Sequence, residues 1–167
     1  TYLHKLGYNV WYDNDQSALH RNLHGMRTGV RESMCLLIFL SGRKETDGVA
    51  DLQGLYEGPF TRWFCHEEMT TAHEHGLRCI GVMETDERKG KPDIGLEKSR
   101  ALTGDDGRPA NANAKHNIHL LDDVCFIPFR RQRHEVNAML AEIQKQALRG
   151  LVLKPYTREP EEPRQQK

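Results

Sequence analysis

The run from Met34 to Leu40, "MCLLIFL", constrains the fold most: an unbroken apolar stretch closed by Ser41 and Gly42. It is far short of the roughly 20 apolar residues that a membrane helix needs, and no other stretch reaches that length. Apolar on both faces and of strand length, it predicts the central strand of a mainly parallel sheet, covered by helices on either side.

The flanking segments alternate as such a sheet requires. "YNVWYD" (residues 8–13) has strand composition and period, and "NLHGMRTGVRES" sets Leu23, Met26 and Val30 on one helical stripe interrupted by Gly25 and Gly29. A helix is predicted from Pro59 or Thr61 to Gly76, then the strand "CIGVME", then a polar excursion over 85–117 with a short helix near "IGLEKSRAL". "VCFIPF" reads as a strand held to an edge by Pro128, and Val136, Met139, Leu140, Ile143 and Ala147 mark a last amphipathic helix. The expectation is an α/β domain over 1–150 and a disordered charged tail over 151–167. Ligands of such sheets sit beyond the carboxyl ends of the strands, which singles out Asp13 to Asp15, Ser41 to Gly42, and Glu84 to Asp86.

Charge narrows the partners. Lys plus Arg and Asp plus Glu both number 24 and are interspersed, which argues against nucleic acid as the main partner. Cys35, Cys65, Cys79 and Cys125 are widely spaced, suiting buried thiols and a reducing, cytoplasmic setting better than a disulfide framework. Cys65, His66, His73 and His75 fit no paired zinc-ligand spacing, and neither a metal nor a bound cofactor is expected.

The chemistry-bearing stretch is "RWFCHEEMTTAHEHG", residues 62–76. At about 100° per residue, Phe64, Cys65, Met69 and Ala72 share a sector with Glu68 at its edge, whereas Glu67 points away with Trp63 and Glu74. Glu67 is therefore expected in water and Glu68 at the border of the core. A carboxylate there pairs with an arginine such as Arg27, Arg31 or Arg62, has a raised pKa, or lines a cleft.

The ordered set "YNVWYDN", "HGMRTGVRESMCLLIFLSGR", "GPFTRWFCHEEMTTAHEHGLRCIGVMETDER" and "VCFIPFRR" resembles the Toll/interleukin receptor-like (TIR) domain over about residues 7–148. The resemblance implies a flavodoxin-like sheet whose first strand, and most of whose first helix, would precede Thr1. It also implies one of two activities: assembly with other TIR domains, as homo- or hetero-oligomers in intracellular signalling, or hydrolysis of NAD at its nicotinamide–ribose bond. The family's aromatic-Cys-x-x-Glu pattern, read from Phe64 and Cys65 with Ala72 beyond, selects Glu68 as the catalytic carboxylate; counting from Trp63 selects Glu67 instead. Trp11, Asp13, Ser41 and Phe64 are the matching substrate-binding candidates.

Overall fold

The computed structural model describes Leu3 and residues 7–11, 22–41, 58–104 and 107–161. Helix α1 spans Leu23–Arg31 and starts where the Asn22 side chain accepts the Gly25 N–H at 2.8 Å, leaving Met26 and Val30 buried on the expected stripe. Gly29, which weakens a helix in isolation, is required by packing: a Cβ there would come within 2.3 Å of the Trp11 indole.

Strand β1 (Cys35–Leu40) pairs in parallel with β2 (Arg78–Met83), which pairs in parallel with β3 (Phe126–Pro128). The two-residue β4 (Leu151–Val152) runs antiparallel to the start of β2. It uses the same edge of β2 as β3 does, since β1 pairs along the whole length of the other. The result is a small, mostly parallel sheet flanked by helices. Pro128 falls at the last register position of an edge strand, where its missing N–H costs nothing and the Phe129 N–H closes the ladder on the Met83 carbonyl at 2.7 Å.

One sheet face, with Ile38, Leu40 and Cys79, packs with α1, with α2 (Trp63–Glu74), with Phe60 from a 3₁₀ turn at Pro59–Thr61, and with Ala101 of α3 (Ile94–Thr103). The opposite face, with Ile80, Val82 and Ile127, packs against Met139, Ile143 and Ala147 of a 17-residue helix. Two short helices, α4 (Ala114–Asn117) and α5 (Leu120–Asp123), lead into β3, and the long helix, α6, spans Arg133–Arg149. Helix α2 ends as its sequence demands: Gly76 takes φ 60°, and the Leu77 and Gly76 amides donate back to Ala72 and His73.

Three expectations are corrected. Among the described residues β1 is not central: β2 is, and Leu37 and Phe39 of β1 stand 39% and 43% exposed because α6 lies over β2 and β3. Residues 8–11 form no strand, while Tyr12 and Asp13 fall outside the described residues. Residues 151–161, expected to begin a disordered tail, instead add β4, bury Leu153, whose N–H donates to the Leu77 carbonyl at 2.9 Å, and continue across α2. Among the described residues no helix is long and apolar enough to cross a membrane.

Candidate functional site

Helix α2 is covered on an unusually wide arc, with His66, Glu67, Met69, Thr70, Thr71, Ala72 and His73 all buried. Met69 and Ala72 meet the sheet-side core, as their spacing dictates. The remainder is covered by segments distant in sequence, and this reverses the expected roles of the two glutamates. Glu67 is fully buried, Glu68 is half-buried, and Phe64, expected inside, is 57% exposed with its ring set edge-on to Trp63 at 5.0 Å.

Glu67 is the most heavily bonded carboxylate in this region. Arg27 of α1 donates to its Oε2 at 2.5 Å, Arg158 donates to the same oxygen, and the Asn111 amide donates to Oε1 at 2.9 Å. Burial alone would raise its pKa, but the hydrogen bonds from Arg27, Asn111 and Arg158 together outweigh it and hold the carboxyl below its ordinary value. Glu67 is thus an anion across the neutral range. It lines a cleft of about 420 Å³ together with Leu23 and Arg27 of α1, Trp63 of α2, and Arg158, Glu159, Pro160 and Glu161 of the C-terminal segment.

Of the residues singled out from sequence, none of Trp11, Ser41, Phe64 and Glu68 lines this cleft. Trp11 is half-buried against α1, Ser41 is half-buried after the end of β1, and Asp13 lies outside the described residues. Glu84, at the rim of the sheet, is closed off: Arg131 donates to one of its oxygens and the Asp86 N–H to the other at 2.8 Å.

Beneath Glu67 lies a buried polar layer built by "NANAKHN", residues 111–117, which reads in sequence as loop. Asn111, Asn113 and Asn117 are all essentially inaccessible. Asn111 Oδ1 accepts the Asn113 backbone N–H at 2.8 Å, which turns the Asn111 amide toward Glu67. The Asn117 amide donates to the His66 carbonyl and stands 3.1 Å from His66 Nδ1, while His66 Nε2 meets the Phe60 carbonyl at 2.7 Å. A carbonyl cannot donate, so Nε2 carries the proton and Nδ1 accepts from Asn117. Burial depresses His66 to about 4, so the imidazole is neutral.

A second buried carboxyl is unlike the first. Glu97 of α3 is inaccessible, and neither of its oxygens has a hydrogen-bond partner of normal geometry. It fills the space left by the missing side chain of Gly58, where an added Cβ would fall 1.5 Å from Oε1. Burial pushes it up to about 7, against smaller opposing pulls from the Phe60 backbone N–H and Arg100. A carboxyl protonated in the fold and ionised in the unfolded chain stabilises below the unfolded value, and that stability is lost as pH rises toward 7. His66 acts in the opposite sense, its contribution disappearing as pH falls from 6.5 toward about 4. Glu97→Gln is therefore expected to leave stability at pH 4.5 nearly unchanged and to raise it by about 1–2 kcal/mol at pH 8, part of the gain being offset by the buried amide. Urea unfolding at the two pH values checks this. Gly58→Ala is expected to cost about 1–3 kcal/mol by displacing the Glu97 carboxyl, and less when combined with Glu97→Ala, a non-additivity readable in the same unfolding experiment.

Among the described residues no group of three or more His, Cys, Asp or Glu side chains is placed to hold a metal ion. Comparison with family models, curated proteins and solved structures finds no match to this chain.

Proposed function

We propose that the chain is a TIR-like domain, flavodoxin-like in its sheet, that takes NAD into the cleft between α1 and α2 and cleaves its nicotinamide–ribose bond. In this reading Glu67, rather than Glu68, is the carboxylate beneath the sugar. The observation that carries it is a buried, ionised carboxylate in a cleft that also presents a tryptophan and an arginine. Trp63 offers a stacking face for a ring, and Arg27, whose side chain is 41% exposed, offers its guanidinium to a phosphate.

The reaction asks little more of the protein. As the C1′–N bond breaks, its electron pair leaves with nicotinamide, which departs neutral and needs no general acid. The positive charge developing on the ribose is opposed by Glu67, water adds its oxygen to C1′, and one proton passes to solvent, giving nicotinamide and ADP-ribose.

A second reading, assembly with other TIR domains as a homo- or hetero-oligomer in cytoplasmic signalling, is favoured by a separate observation. Among the described residues β1 has one partner strand, and Leu37 and Phe39 on its α6-side face are exposed. Light scattering over a concentration series, with chromatography of nicotinamide and ADP-ribose on the same samples, tests both. Nicotinamide release in proportion to protein supports the hydrolase. Self-association with no release at any concentration, from the parent chain or from an Arg158→Ala variant that frees the Glu67 carboxylate, rejects it and leaves assembly, while a monomer throughout rejects assembly.

A further inference from the structure

We infer that residues 154–161 form an autoinhibitory strap that closes the cleft over Glu67, with Arg158 in the place of a positively charged reacting group. The chemistry it blocks rests on the proposed hydrolase reading; the covering of the cleft does not.

The strap supplies four of the eight residues that line the cleft, Arg158 to Glu161. Arg158 grips α2 at three side chains: it donates to Glu67, to Thr71 Oγ1 at 3.3 Å, and to both oxygens of Glu74 at 2.8 and 2.9 Å. Tyr156 anchors the approach. Its hydroxyl donates to Asn117 Oδ1 at 2.7 Å, and its ring stacks on His116 at 4.5 Å. The Glu159 N–H donates to Asn113 Oδ1 at 2.9 Å, and the Glu159 carboxylate is met by Lys115 and His116.

These anchors are of a reversible kind. Among the described residues Leu153 is the last that is buried, and none from 154 to 161 is, so the strap is held by polar contacts and ring stacking and not by core packing. Its charge also suits inhibition. With the strap in place the cleft presents Glu67, Glu159 and Glu161 against Arg27 and Arg158; without it the lining charges are Arg27 and Glu67 alone. A dinucleotide must bring two phosphates, and the strap adds two carboxylates to their path against one guanidinium that is already bonded to Glu67 and Glu74. It also ties up the carboxylate: while Arg158 is bonded to Glu67, a developing oxocarbenium competes with a guanidinium already there.

Acrylamide quenching of Trp63 fluorescence reads the cover directly in the full chain, with Trp11→Phe as background because the chain has two tryptophans. Arg158→Ala is expected to raise the quenching and to increase nicotinamide release about tenfold, the population shift from losing hydrogen bonds to a charged group. Tyr156→Phe, which keeps the ring on His116 and removes the hydroxyl, is expected to move both readings the same way and less far. Circular dichroism confirms that each variant is folded. Unchanged quenching in both variants overturns the strap, as does a fall in nicotinamide release for folded Arg158→Ala, which would make Arg158 a binding group. Raised quenching with no nicotinamide from any form upholds the strap and rejects the hydrolase reading.

Discussion

Glu67→Ala lowers stability by about 2–4 kcal/mol in urea unfolding, and by more than Glu68→Ala, whose side chain is only half-buried. Removing one partner of a buried ion pair is costly because the other charge is left without compensation. Here Arg27, Arg158 and the Asn111 amide all lose their shared acceptor. The cost stays below the upper range for buried pairs, because the Arg27 and Arg158 side chains are 41% and 23% exposed and can turn toward water. Glu67→Gln should fall between, keeping an acceptor for Asn111 while losing the charge opposite both guanidinium groups. Equal losses for Glu67→Ala and Glu68→Ala would contradict the burial that separates the two residues.

Phe60→Ala is expected to cost more, about 3–5 kcal/mol, with the urea midpoint falling and the slope unchanged. Among the described residues Phe60 is the largest wholly inaccessible side chain, and it sits where β1, α2 and α3 meet. Its ring is edge-on to His66 at 6.2 Å, and its carbonyl fixes the His66 proton on Nε2. The 3₁₀ turn places its backbone and side chain in the same layer. A cavity there also loosens His66 and, through Asn117, the anchor of Tyr156. The variant should therefore raise acrylamide quenching of Trp63 before it unfolds, an effect that Leu140→Ala on the opposite sheet face should not share.

What the sequence makes legible is set by how local each cause is. The stripe of Met26 and Val30, the stop at Gly76, the edge position of Pro128 and the amphipathic α6 all follow from spacing within one element, and the structure has each of them. The apolar run of β1 reads correctly as a strand but, among the described residues, not as the centre of the sheet, because its place depends on where α6 settles. Glu67 is the sharpest case. The helical wheel separates it properly from Met69 and Ala72, yet its cover comes from Asn111 and Arg158, 44 and 91 residues along the chain. No periodicity within α2 contains that information. The one available signal was compositional: three asparagines at 111, 113 and 117 have the spacing to line one buried layer, but in a polar excursion they look like turn residues. Glu97 was equally hidden, its burial depending on the absent side chain of Gly58.

The candidate site therefore rests on long-range polar contacts and not on a local motif. Glu67 has a neighbour of the same chemistry one residue away, half-buried and outside the cleft, which serves as an internal control. The most direct measurement is the rate of nicotinamide release from NAD by the full chain carrying Arg158→Ala, compared with the same chain carrying Glu67→Gln or Glu68→Gln in addition. Loss of release by a hundredfold or more with Glu67→Gln, and a change of less than about threefold with Glu68→Gln, is the predicted result, in the range expected for removing a group that stabilises transition-state charge. Release that survives Glu67→Gln and disappears with Glu68→Gln would contradict the account.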